Sequence, residues 1–297
     1  MQNYIEQFKN KMLEVGITPP SLIIEDGQIH RFPTSSKSKD TAGWYILHSD
    51  GIPAGSFGDW RTGVASTWCS KSKDQMSVQE WLAYCRLQAD AKQKREHAQL
   101  QANNQARERA CLIWEKAEPA SQDHPYLLKK LVLPYMARQQ RNMLVLPIVN
   151  FENEIQCLQF ISPDGSKVLL SGGAKKGNFI PINKIENPKT ILICEGFATG
   201  ATLAASRPDD QVIAAIDAGN LKSVALNVRR YWPEVEILIC ADDDRIVSGN
   251  PGKTKAREAA IAAGARYTFP IWPEDAPSSL TDFNDLFNWN LRSRGLA

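Results

Sequence analysis

TILICEGFATGATLAA (190–205) and VEILICADDDRIVSGNPGKTKAREAA (235–260) decide the fold of this chain. The first opens on an apolar run, Thr190–Cys194, ends in Glu195 and Gly196, and passes into a small-residue helical pattern. The second opens on another run, Val235–Ala241, delivers Asp242, Asp243 and Asp244, and leads through a loop into a helix. Short apolar runs bounded by Gly and acid read as buried strands. Working outward, strands are expected at Leu144–Asn150, Ile155–Ser162, Lys189–Cys194, Gln211–Ile216 and Glu236–Ala241. Helical patterns fall at Gly200–Ser206, Leu221–Trp232 and Thr254–Ala263. Strands alternating with helices over short connections predict an α/β fold around a mainly parallel sheet. Ligands bind such sheets at the carboxyl ends of the strands, where both acidic groups fall.

Carboxylates gathered in one cleft repel one another and raise each other's pKa. A divalent cation relieves that repulsion, and all-oxygen Asp-x-Asp donors suit a hard ion such as Mg²⁺. Along an extended chain Asp242 and Asp244 point the same way and Asp243 points elsewhere. Taken singly, Glu195 also reads as an acid favoured by a helix N-terminus, and the aspartates as a polar turn. GNPGKT (249–254) lacks the four-residue gap of a phosphate-binding P-loop, so no NTP-hydrolysing motor is expected in this chain.

Upstream the texture changes. SVQEWLAYCRLQADAKQKREHAQLQANNQARERACLIWEKA (77–117) contains neither Pro nor Gly and starts at a plausible N-cap, Ser77. Its middle is polar nearly all round, which marks a solvated connector and not a coiled coil. Lys92, Lys94 and Arg95 could contact phosphates there, or simply face solvent. Before it, GWYILHSDGIPAGSFGDWRTG (43–63) alternates like a small antiparallel module, with turns at Asp50-Gly51 and Gly58-Asp59. Trp44, Tyr45, Phe57, Trp60 and Arg61 could stack on single-stranded bases, or form the small core such a module needs.

With 43% hydrophobic and 23% charged residues, the 297-residue chain has the composition of a globular protein. A net charge of +2 restricts any nucleic-acid surface to a local patch. The six cysteines form no CxxC pair, so zinc is not expected and a reducing compartment is. No apolar stretch approaches a membrane span, and the first residues lack the apolar core of a signal peptide; a cytoplasmic protein without membrane contact is expected.

With these residues in view, the chain resembles the Toprim domain shared by bacterial DnaG-type primases, type IA and II topoisomerases and several nucleases. Glu195-Gly196 matches its first motif and Asp242-Asp243-Asp244 its second, while TDFNDLF (281–287) resembles the segment that follows the metal motif in primases. CEGFATGATLA (194–204) is closer to primases of conjugative plasmids and phages than to topoisomerases. HPYLLKKLVL (124–133) and the 144–182 segment resemble the region preceding Toprim in those primases, so the likeness covers about residues 110–290.

The resemblance implies an α/β, Toprim-type mainly parallel sheet flanked by helices, preceded by a small α+β basic subdomain and an N-terminal β-rich module. Its domains would be the β-rich module at 1–70, a helical connector at 71–117, the primase-like subdomain at 118–188 and Toprim at 189–297. It implies catalysis by Glu195, Asp242 and Asp244 with Mg²⁺ or Mn²⁺, with Asp282 and Asp285 as further metal candidates. Lys167, Lys175, Lys176 and Arg245 would hold nucleotide or template phosphates. The activity implied is synthesis of short RNA primers from NTPs on a single-stranded DNA template for a mobile element, beside a separate replicative helicase. A Toprim-type nuclease and a non-catalytic single-strand-binding accessory protein are the alternatives. DnaG-type primases usually carry an N-terminal zinc ribbon; here the 21–68 module stands in that place, without matching cysteines.

Overall fold

The computed structural model describes residues 4–35 and 41–295, apart from the side chains of Ala91, Lys94, Arg95 and Ala98. Two of the basic residues singled out on the polar helix, Lys94 and Arg95, thus lie outside the described side chains, and the third, Lys92, lies 3.9 Å from Glu96. The chain forms two compact units, Met1–Ala98 and Gln99–Ala297.

In the first unit, helix α1 (Tyr4–Glu14) packs on an antiparallel sheet of β1 (His30–Phe32), β2 (Gly43–His48), β3 (Ala54–Asp59) and β4 (Val64–Cys69), in that order. Phe8 of α1 meets Tyr45, Phe57 and Trp68 edge-on, at centroid distances of 6.2, 5.4 and 5.5 Å. Tyr45 and Phe57 therefore belong to the core, and burying aromatic rings of this size dominates the energetics of so small a unit. β2 is buried on both faces, because Trp44 lies beneath Trp60, which is itself 53% exposed. The turn expected at Gly58-Asp59 comes later, at 60–63. Gly58 and Asp59 complete β3, and the Asp59 carboxylate folds back to accept from the Arg61 N–H at 2.6 Å and from the Thr34 hydroxyl.

Helix α2 (Val78–Lys116) starts where Ser77 predicts. The Glu80 N–H donates to Ser77 Oγ at 3.2 Å, and the Ser77 N–H to the Glu80 carboxylate at 2.8 Å, a reciprocal cap. Ser77→Ala is expected to cost about 1 kcal/mol, read as faster amide exchange in the first turn of α2. Unchanged exchange would mean the cap contributes nothing. From Ala106 onward the helix is docked: Ala106 and Ala110 are buried, and Ile113 and Trp114 pack against Val145 and Leu158.

The second unit holds two five-stranded sheets. One is antiparallel: β5 (Glu118–Pro119), β6 (Arg138–Gln140), β7 (Met143–Val149), β8 (Ile155–Ile161) and β9 (Lys167–Leu169), with α3 (Pro125–Lys130) between β5 and β6. The other is built from β10 (Ile180–Pro181), β11 (Thr190–Cys194), β12 (Gln211–Ala214), β13 (Glu236–Cys240) and β14 (Arg266–Thr268). Its order is β10-β12-β11-β13-β14; all neighbours are parallel except β10 with β12. The crossovers carry α4 (Phe197–Ser206), α5 (Ala218–Tyr231) and α6 (Pro251–Ala263), and α7 (Phe283–Ser293) follows β14.

Side-chain alternation gives this sheet two covered faces. Leu192, Cys194, Val212, Ala214 and Cys240 face α4 and the antiparallel sheet. Ile191, Ile193, Ile213, Ile237 and Ile239 face α5 and α6. A strand buried on both faces must be apolar without alternation, which is how 190–194 reads. The α/β class, the mainly parallel sheet, the preceding smaller subdomain and the N-terminal β module are all as the sequence predicts.

Candidate active site

The ladder of β11 on β13 runs in register from Thr190↔Glu236 to Cys194↔Cys240. Glu195 thus leaves one strand beside Ala241, and Asp242 follows a residue later on the same rim. The carboxylates feel one another. Glu195 is pushed above the usual carboxylate range, first by burial and then by Asp244 and Asp217, against the Ala218 N–H and Lys167. Asp242 is pushed up to about 8 by burial, then by Glu195, Asp282 and Asp244, with Lys167 opposing. Its Oδ1 is buried without a hydrogen-bond partner. Asp282, the N-cap of α7, is also raised, chiefly by burial and then by Asp285.

Asp243 points away, as alternation requires, and is 3% exposed. One oxygen accepts from Asn250 Nδ2 at 2.7 Å and meets Lys253 Nζ at 3.0 Å; the other accepts from Trp272 Nε1 at 3.0 Å. Burial pulls this carboxyl upward, but these bonds and the lysine charge outweigh it and hold it below its ordinary value. Asn250, in the left-handed region at φ 41°, also accepts from the Asp244 N–H at 3.0 Å and caps α6. Asp244 Oδ2 accepts from the Gly252 N–H at 2.9 Å, an acid at a helix start. At Gly252 only glycine fits, since a Cβ would stand 2.5 Å from the Asp242 carbonyl oxygen.

The basic residues divide. Lys167 Nζ lies 3.4 Å from where a Cβ on Gly196 would stand, over the turn that carries Glu195. Lys175 Nζ pairs with Asp217 Oδ2 at 2.6 Å, and Lys176 is exposed on the same loop. Arg245 is taken up by the 272–280 segment: its Nη2 donates to the carbonyls of Pro277 at 2.6 Å and Leu280 at 3.2 Å, and its guanidinium stacks 4.5 Å above Trp272. Asp285 likewise turns to Lys130 Nζ, 3.3 Å away, and to the Thr281 N–H. Of the two further acids, Asp282 is the one electrostatically coupled to Asp242.

Residues the sequence reading passed over include Asp217, Asn250, Gly252 and Lys130. Asp217 sits just beyond β12, so the strand-end rule that found Glu195 applies to it as well. Asn250-Pro251 is a readable helix start, Asn at N-cap and Pro at N1.

Among the described residues, no three His, Cys, Asp or Glu side chains form a group able to hold a cation by themselves. Mg²⁺ asks less, keeping several waters and binding through one or two carboxylates plus substrate phosphates. Asp242, with a raised pKa and an orphaned oxygen, fits such a donor. In metal-free protein that same carboxyl holds a proton the unfolded chain gives up. The stability this contributes is complete below the ordinary value of 3.8 and is lost as pH rises through about 8. Metal-free protein is thus expected to melt lower at about pH 8.5 than at about pH 6, with Asp242→Asn removing most of the difference. Thermal unfolding across that range checks it, and a flat wild-type profile would contradict it.

Residues 190–293 match the family model described as Toprim domain. Over 93% of its length the chain is 31% identical to DNA primase TraC of Escherichia coli, covering 21% of that protein. A second Escherichia coli DNA primase TraC is 31% identical over 84% of the chain and 24% of its own length. The chain thus spans between a fifth and a quarter of the curated relatives it matches. The primase fragment of the bacteriophage T7 primase-helicase protein superimposes with a TM-score of 0.39 at 15% identity, over 54% of this chain and 62% of that one. The likeness to Toprim-domain primases drawn from Glu195-Gly196 and Asp242-Asp243-Asp244 is borne out.

Proposed function

We propose that this chain is the catalytic part of a DNA primase, making short RNA primers from NTPs on single-stranded DNA. The observation that carries the reading is the 31% identity to DNA primase TraC across nearly the whole chain, with Glu195, Asp242 and Asp244 together on one rim. Asp242 and Asp244 would hold Mg²⁺ or Mn²⁺, aided by Glu195. When bound, the cation supplies neutralisation of the nucleotide's phosphate charge.

The chain's own residues do the rest. Glu195, raised in pKa by burial and by Asp244, is suited to accept a proton from the attacking 3′-hydroxyl near neutral pH. Lys167, over the Glu195 turn, tempers the negative charge of Glu195 and Asp242 and is placed to meet a phosphate. Lys175 and Lys176, on the loop between β9 and β10, would add further phosphate contacts. Arg245 braces the 272–280 segment, which with Asp243 fixes the orientation of the flanking aspartates. A mobile-element setting, a separate replicative helicase partner and a cytoplasmic location complete the reading; among the described residues no helix is long and apolar enough to cross a membrane.

The test is purified protein with single-stranded DNA, NTPs and Mg²⁺, analysed for oligoribonucleotides. Primers that need all three components are expected. Cleavage of the DNA without NTPs would identify a nuclease instead, and metal-independent binding without synthesis would identify a strand-binding accessory.

A further inference from the structure

The loop joining β9 to β10 is held by the first turns of α5 to a degree that a surface turn does not require. Asn220, 3% exposed, accepts at Oδ1 from the Gly177 N–H at 2.8 Å. Its Nδ2 donates to the carbonyls of Lys175 at 3.2 Å, Asn178 at 2.9 Å and Ala215 at 3.0 Å. Asn227 Nδ2 donates to the Gly177 carbonyl at 3.2 Å. Gly177 adopts φ 76°, and a Cβ there would stand 2.6 Å from Asn227 Nδ2. One helix face therefore fixes the loop backbone on both sides of Lys176 and ties it to the end of β12 through Ala215.

Asp217 adds the side chain to this grip. It occupies the N-cap position of α5 but makes no capping bond. Its carboxylate turns to Lys175 Nζ at 2.6 Å, in a pair that is 36% and 43% exposed, which leaves the ammonium accessible to an incoming anion. Long lysines lose much rotamer freedom when they bind, and holding one in place beforehand removes that cost from the binding step.

We infer that Asp217 and Asn220 are positioning residues, which hold Lys175 at the acidic rim so that the other N–H groups of its ammonium meet the phosphates of a nucleotide. This rests on the primer-synthesis reading, with a nucleoside triphosphate as the ligand.

The experiment compares Asp217→Asn, Lys175→Met and the double variant. It follows binding of a fluorescent ATP analogue by anisotropy, alongside KM and kcat for NTP in primer synthesis and urea unfolding. Asp217→Asn keeps the shape and removes the charge; it is expected to weaken ATP binding and raise KM about tenfold, with a smaller fall in kcat because Asp217 also raises the pKa of Glu195, and an unchanged urea midpoint. The double variant should bind no worse than Lys175→Met alone, since Asp217 reaches the nucleotide only through that lysine. Asn220→Ala should weaken binding similarly but also lower the urea midpoint, so the Asp217 variant decides. Losses that multiply in the double variant, or wild-type affinity in Asp217→Asn, overturn the inference. Wild type that fails to bind the analogue overturns it as well, whereas binding without primer synthesis sinks the primase reading alone and leaves the anisotropy comparison to judge the positioning.

Discussion

Glu195→Gln is expected to lower primer synthesis by about a hundredfold to ten-thousandfold, the range lost with a positioned general base. Glutamine keeps the shape of the side chain at the end of β11, but its amide cannot take a proton from an attacking hydroxyl. It also removes one member of a set of carboxylates that mutually disfavour ionisation. The variant should therefore be at least as stable as the wild type, a trade of stability against activity common at such sites. Primer yield on single-stranded DNA, read beside a thermal melt, measures both effects. A variant that primes at the wild-type rate would remove Glu195 from the mechanism, and one that fails to fold would show that burial of the acid has another purpose.

Asp243→Ala is expected to destabilise the second unit by about 3 kcal/mol. The carboxylate is the common acceptor for Asn250, Lys253 and Trp272, drawn from the loop after β13, the first turn of α6 and the segment after β14. Alanine leaves those three half-buried donors without this partner. A urea titration reads the loss as a lower midpoint at constant slope. Asp243→Asn, which keeps an oxygen for Trp272 or Asn250 but gives up the lysine's counter-charge, should fall between the two. An unchanged midpoint for alanine would mean that the network does not hold the loop.

What the sequence conceals is mainly what converges through space. The parallel strands are legible because 191–194 and 237–240 are apolar without alternation, and only a doubly covered strand tolerates that. The acids were legible because they terminate those strands. What Asp243 does was not legible, because Trp272 lies 29 residues further along the chain and nothing local marks it as a partner. Arg245 shows the same limit: its charge is plain in sequence, but the Pro277 and Leu280 carbonyls that engage it are 32 and 35 residues away. Helix α6 begins at Pro251, not Thr254, since the Asn-Pro cap outweighs the low helix propensity of Gly252. In the first unit the aromatics were visible as a group, but the presence of α1 on the sheet face, which turns Tyr45 and Phe57 inward, was not.

The in-register pairing of β11 with β13 has a mechanical corollary. Ile193 and Ile239 are partners with no exposed surface, each one residue short of the cysteine that ends its strand. Such amides exchange with solvent only when the whole unit opens. The Glu195 and Asp242 carboxylates, carried at the ends of this girder, cannot drift apart by fraying, so any yielding that a ligand demands has to be supplied by the turns around them.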